Sequence, residues 1–167
     1  MKLLLIRHAI AEEREDFAKT GKDDRLRPLT DEGRKKMKQV ARGLQEIVPG
    51  IDLLATSPLT RAAQTGAIVD SLYGGLREVE IEELSPDSTP NDFLLWLRKR
   101  KEDCIAAVGH EPSISLILSW LLTGSERRIF AFRKGGACLL DFPDEVGAGT
   151  ATLVWAMTPA HLRELAD

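Results

Sequence analysis

Only two cysteines occur in the 167 residues, and neither Cys104 nor Cys138 has a partner at CxxC or Cys/His metal-ligand spacing. That pattern supports neither a zinc site nor a disulfide framework. Each lies in an apolar run, so both are expected as small buried hydrophobes in a reducing compartment. The chain has no GxxxxGK[ST] or GxGxxG run, so nothing supports a nucleotide-phosphate cradle. It has no surplus of positive charge: 23 Lys and Arg stand against 26 Asp and Glu, a net of −3. Broad nucleic-acid binding needs clustered basic charge and is not expected, although a small positive pocket is compatible with this balance. Four apolar residues between Lys2 and Arg7 are too few for a signal peptide or a membrane span, so the expectation is a cytoplasmic protein that binds no membrane. With no internal repeat and no linker, residues 1–167 read as a single domain.

What the sequence does have is an apolar run that stops at two polar groups, Leu3-Leu4-Leu5-Ile6-Arg7-His8. Four consecutive aliphatic residues read as a strand buried on both faces. Arg7 and His8 then fall at its carboxyl end, the edge where open α/β sheets bind ligands. Taken alone, the pair reads as a solvated strand-end charge followed by a turn residue; two matching strand ends elsewhere change that reading. The charged stretch Glu12–Arg27 reads as an exposed loop, long for its position. Thr30 is a plausible N-cap for a helix carrying Met37, Val40, Ala41, Leu44 and Ile47 on one stripe. Leu53-Leu54-Ala55-Thr56 is a second strand, and Ser57-Pro58 reads as a cap followed by the first helical residue. Arg61 would then lie in the first turn, where a cation opposes the macrodipole, which points it toward an anion or a partner carboxylate.

Val79 and Ile81 alternate with glutamates as a weak edge strand, and Glu83–Asp87 reads as a loop. Thr89-Pro90 opens a helix with a solvated basic end at Arg98–Lys101. Cys104–Gly109 repeats the opening pattern: a buried strand, a histidine at its end (His110), then an apolar helix from Ser113 closed by Gly124. Ala137–Phe142 and Ala151–Ala156 form a hairpin pattern. His161 falls on a short terminal helix, as a surface residue. The fold class that follows is α/β, three-layered, with a mostly parallel central sheet and an antiparallel edge strand.

Arg7, His8, Arg61 and His110 make a coherent set. Guanidinium forks hold tetrahedral oxyanions, a neutral imidazole nitrogen is a competent nucleophile toward phosphorus without a metal, and a second imidazole can donate to the phosphoryl oxygens. The spacing permits these groups to converge and does not by itself require it.

Three blocks, Leu-Ile-Arg7-His8, Ser57-Pro-Leu-Thr-Arg61-Ala-Ala-Gln-Thr65 and Val-Gly-His110-Glu, resemble the signature blocks of the histidine phosphatase (phosphoglycerate-mutase-like) superfamily, in its order. The short chain, Arg27-Pro-Leu-Thr-Asp-Glu-Gly33 and Val-Gly-His-Glu-Pro112 are similar to its SixA-type phosphohistidine phosphatase branch. The resemblance implies that His8 becomes phosphorylated, that Arg7, Arg61 and His110 bind and stabilise the transferring phosphoryl group, and that no cofactor is needed. It further implies a phosphorylated protein, such as a histidine phosphotransfer domain, or a small phosphate ester as partner, with a role in phosphorelay signalling. Ala9 departs from the family's commonest Arg-His-Gly block. Larger members supply a carboxylic general acid near the region of Glu82 and Glu83, where the usual long insertion is absent here. An imidazole leaving group needs that acid less than an alkoxide does. The alternatives are a general small-molecule phosphomonoesterase, with Glu83 or Glu82 as the acid, and a non-catalytic phosphate-binding module. A phosphoglycerate mutase fits less well, because segments to enclose a diphosphorylated intermediate are lacking.

Overall fold

The computed structural model describes residues 1–166. Its centre is the aliphatic run, strand β1 (Lys2–Arg7), whose residues Leu3 to Ile6 are wholly buried. Five more strands join it: β2 (Leu53–Thr56), β3 (Glu78–Glu80), β4 (Cys104–Gly109), β5 (Ala137–Asp141) and β6 (Thr152–Met157). They lie in the order β3-β2-β4-β1-β5-β6, with the first four parallel and the β5–β6 hairpin antiparallel. The three-layer α/β class read from the sequence is the observed one.

Strand periodicity divides the aliphatic residues between two cores. Leu4, Ile6, Leu54, Ala106 and Val108 pack with Met37, Val40 and Leu44 of α2 (Asp31–Ile47), Val69 of α3 (Thr60–Tyr73) and Leu162 of α6 (Pro159–Glu164). Leu3, Leu5, Leu53, Ile105 and Ala107 pack on the other face with Phe93 and Leu97 of α4 (Pro90–Leu97) and Ile114 and Leu118 of α5 (Ser113–Thr123). The inner strands β1, β2, β4 and β5 are covered on both faces and read as apolar runs, whereas the edge strands β3 and β6 are partly exposed. Cys104 and Cys138 are both free and buried.

Register sets the site. Arg7 pairs with Gly109 across β1 and β4, and Thr56 pairs with Val108 across β2 and β4. The residues that follow, His8, His110 and Ser57, therefore leave three adjacent strands at one edge.

Three local expectations are corrected. The stretch Glu12–Arg27 is not simply an exposed loop: it holds the short helix α1 (Arg14–Ala18) and a 3-10 turn at Asp24–Leu26, with Phe17 and Arg27 buried. An isolated bridge between Ala11 and Leu29 closes its base. Ser57-Pro58 does not begin α3, which starts at Thr60 behind Leu59; Ser57 accepts the Leu59 N–H at 3.2 Å as a turn residue. The Glu83–Asp87 stretch opens with a 3-10 turn, Glu82–Leu84. Thr30 caps α2 by accepting from Gly33 N at 3.0 Å, as its sequence suggested.

Gly33 fixes α2 against the segment that follows His8. A Cβ placed there would stand 2.0 Å from the Ile10 carbonyl oxygen, backbone that cannot turn aside. Gly33→Ala gains about 1 kcal/mol of helix propensity but forces that contact apart. The expected net loss is about 2 kcal/mol, read as a fall of about 4–8 °C in the thermal midpoint.

Candidate active site

His8 is held by its own backbone. Its N–H donates to Gly109 O at 3.0 Å, its carbonyl accepts from Gly135 N at 3.2 Å, and the next N–H, of Ala9, donates to Thr65 Oγ1 at 3.0 Å. Thr65 Oγ1 in turn donates to Arg61 O at 2.7 Å, so α3 ties the two candidate site residues together. The chain has no non-glycine residue at positive φ among those described, so Ala9 occupies the family's usual glycine position without backbone strain.

The ring of His8 places Nδ1 2.7 Å from Ala9 O. A carbonyl only accepts, so Nδ1 carries the proton and Nε2 keeps its lone pair. Burial, with Arg61, Arg7 and Arg27 adding to it against the opposing Ala9 bond, lowers the His8 pKa to about 3. At neutral pH the ring is an uncharged imidazole with Nε2 unprotonated, the form a nucleophile needs.

His110, 5.1 Å from His8 between ring centroids, is likewise neutral. Burial, then His8, Arg61, Arg27 and Arg7, push its pKa down to about 2. Its Nε2 lies 2.8 Å from Ser57 Oγ, while Nδ1 is buried without a partner. Arg7 donates through Nη1 to Phe132 O at 2.6 Å, and Arg61 through Nη1 to Asp24 O at 3.1 Å with Asp24 Oδ2 at 3.5 Å. The Nε atoms of both arginines are buried and unpartnered. Burial and the neighbouring Arg27 lower the Arg61 pKa to about 10, so it remains a cation at neutral pH.

These four residues line one cleft of about 230 Å³, together with Glu12, Glu13, Arg14, Arg27, Pro86, Glu111 and Lys134. Arg27 escaped the sequence reading. It is 6% exposed, and donates from Nε to Asp24 Oδ1 at 2.8 Å and from Nη1 to Glu12 O at 2.8 Å. Burial works against ionisation of Asp24, but Arg27, Arg61 and Arg14 hold its pKa below the ordinary value. The charged stretch that looked solvated thus straps a carboxylate across two buried guanidinium groups.

Unpaired buried donors are costly, and here three of them, Arg7 Nε, Arg61 Nε and His110 Nδ1 in its protonated tautomer, belong to one cleft. Their residues line the cleft together with His8, and guanidinium and imidazole groups so gathered suit a tetrahedral oxyanion. Glu82 and Glu83 are not brought to this cleft. Glu82 is exposed, lies 3.4 Å from Arg25 and accepts from Ser85 Oγ at 2.8 Å. Both glutamates line a neighbouring depression with Asp92 and Lys99 instead. His161 is exposed, with Nδ1 3.1 Å from Thr158 Oγ1.

Two neutral buried histidines make stability fall in acid. In the unfolded chain each takes up a proton as pH drops through 6.5, whereas in the folded protein this waits until pH about 3 for His8 and about 2 for His110. The unfolded state binds more protons throughout that window, so their contribution is complete above pH 6.5 and is lost as pH falls. Between pH 7 and pH 5 the two together are expected to remove about 4 kcal/mol of unfolding free energy. Urea midpoints at the two pH values measure it, and His8→Asn should lose about 2 kcal/mol less over the same interval.

Comparison with known proteins finds related sequences and a shared fold. The family model described as histidine phosphatase superfamily (branch 1) matches residues 3–85. An uncharacterized protein of Picosynechococcus sp. is 34% identical over 139 residues, covering 81% of this chain and 82% of that protein. The phosphohistidine phosphatase SixA of Escherichia coli is 24% identical over 170 residues, covering 98% of this chain and 97% of its own. Among solved structures, the protein histidine phosphatase SixA complexed with tungstate superposes with a TM-score of 0.82 at 22% identity, over 97% of this chain and 99% of that one. The alpha-ribazole phosphatase of Shigella flexneri superposes with a TM-score of 0.75 at 19% identity, over 95% and 97%.

Proposed function

The chain belongs to the histidine phosphatase superfamily, and from that premise we propose that it is a phosphohistidine phosphatase acting on a phosphorylated protein. The observation that carries this reading is one cleft lined by His8, with Nε2 unprotonated, and by Arg7, Arg61 and His110, each of which keeps a buried polar nitrogen without a partner. In the first step His8 Nε2 attacks phosphorus, and the bond from phosphorus to the departing imidazole nitrogen breaks. Arg7, Arg61 and His110 stabilise the charge on the phosphoryl oxygens, work that preorganised donors do best in a water-poor site. In the second step water attacks the phosphorylated His8, releasing inorganic phosphate and returning the ring to its starting form. The imidazole is itself the nucleophile, so this route calls for no metal-bound water.

The choice of phosphohistidine follows from the leaving group. An alkoxide departs poorly without a proton donor, whose contribution is typically about 10²–10⁴-fold. Glu82 and Glu83 lie outside the cleft, and the phosphorylated imidazole is the leaving group that needs their help least. A second reading, a small-molecule phosphomonoesterase, draws on Glu12 and Glu13, exposed carboxyl groups that do line the cleft.

The test is a comparison of kcat/KM for a phosphohistidine-bearing phosphotransfer domain and for para-nitrophenyl phosphate. The expected result is a marked preference for the protein, unchanged within about twofold in the Glu82→Gln/Glu83→Gln double variant, because both residues lie outside the cleft. Efficient hydrolysis of small esters with negligible phosphohistidine turnover, lost on changing Glu12 or Glu13 to Gln, would replace this reading by the second. Phosphate binding with no turnover of either substrate would mark a non-catalytic module.

A further inference from the structure

Beside the cleft lies a second, larger groove of about 450 Å³ that none of the proposed chemistry uses. Its floor is apolar, formed by Met37 and Val40 of α2 facing Pro159 at the start of α6. Its rim is cationic: Lys36 on α2, Arg163 on α6, and Arg133 and Lys134 on the segment leading into β5. Among the described residues no carboxylate lines it, in a chain whose net charge is −3. Lys36 is engaged by Glu32 at 2.6 Å, whereas Arg133 and Lys134 form no ion pair among the described residues. The local field is therefore opposite in sign to that of the molecule as a whole.

Groove and cleft are continuous. Lys134 lines both, and Ala9 lines the groove directly after His8. A molecule that delivers a phosphoryl group to His8 has its neighbouring surface laid over these residues. The volume admits a few side chains rather than a whole helix, and the chemistry asks for an apolar side chain on the floor with carboxylates at the rim. Residues three and four positions from a histidine on a helix share its face, about 5–6 Å away, so one turn of helix presents such a set together.

Resting on the phosphohistidine reading above, we propose that this groove is the docking surface for the substrate protein. It selects partners whose phosphorylated histidine is flanked by an apolar residue and acidic residues. Charge complementarity of this kind acts on encounter and discrimination between partners more than on the chemical step. The effect is expected in KM and in the preference between substrates, with kcat little altered.

Two synthetic helical peptides test it. Each carries one phosphohistidine with leucine at the fourth position beyond it; one has glutamates beside that leucine, the other lysines. The wild-type protein is expected to favour the acidic peptide by about tenfold in kcat/KM, and Arg133→Glu/Arg163→Glu to cancel or reverse that preference. Turnover of para-nitrophenyl phosphate, which reaches only the cleft, stays unchanged in the double variant and shows that it is folded. Equal use of the two peptides by the wild type, or an acidic preference that survives the charge reversal, overturns the docking proposal alone, provided that free phosphohistidine is hydrolysed. Hydrolysis of para-nitrophenyl phosphate with no turnover of either peptide or of free phosphohistidine overturns the phosphohistidine reading and the docking proposal with it.

Discussion

Replacing His8 by alanine is expected to lower turnover by about 10⁴-fold or more, the scale seen when the nucleophile of a concerted site is removed. Ala9 O fixes the Nδ1 proton, burial keeps the ring neutral, and Nε2 is left as the one basic nitrogen of that side chain. No neighbour can take its place: His110 Nε2 is occupied by Ser57 Oγ. The arginines remain cations that bind oxyanions without attacking phosphorus. His8→Ala should therefore retain phosphate affinity within about tenfold while losing catalysis, since the donor set that binds is intact. Steady-state assays with phosphate competition measure both quantities. A variant that keeps more than about a hundredth of wild-type activity would exclude His8 as the nucleophile.

Arg61 gives the second large effect, of a different kind. It is 3% exposed, and its unpartnered Nε belongs to the cleft that holds His8. Arg61→Ala is expected to lower kcat by about 10³-fold, the upper range for removal of one preorganised donor to a developing oxyanion. Unlike His8→Ala it should also weaken phosphate binding, because Asp24 then keeps its negative charge at the cleft with one fewer cation to offset it. Arg61→Lys restores the charge but not the planar fork, and is expected to recover only about tenfold of the loss. Full recovery by lysine would reduce Arg61 to a source of positive field.

The frame of this site was legible because it is written in short-range pattern. An apolar run ending at Arg7-His8, and another ending at His110, identify buried strands and their carboxyl ends without any knowledge of their neighbours. The cation at the start of α3 was informative because it contradicts the helix dipole. What could not be read was direction. Arg27 sits among Lys22, Asp23, Asp24 and Arg25, a composition indistinguishable from a solvated loop; its bonds to Asp24 Oδ1 and Glu12 O hold it inward. Ser57 was read as a helix cap and is a turn residue, and its contact with His110 depends on β2 and β4 being neighbours. Glu82 and Glu83 fall in the right region of the chain and face the wrong depression, a distinction set by one 3-10 turn. The tautomer of His8 depends on a single carbonyl, which no spacing rule encodes.

The most direct measurement traps the protein during turnover. Mixed with a phosphohistidine-bearing phosphotransfer domain whose phosphoryl group is labelled, then quenched in base within milliseconds, the chain should carry an acid-labile, base-stable label. Peptide mapping should place that label on His8, and phosphorus NMR should show it on Nε2, since Nδ1 is engaged by Ala9 O. A label on Nδ1, on another residue, or absent while phosphate is released would contradict the assignment of His8 Nε2 as the nucleophile.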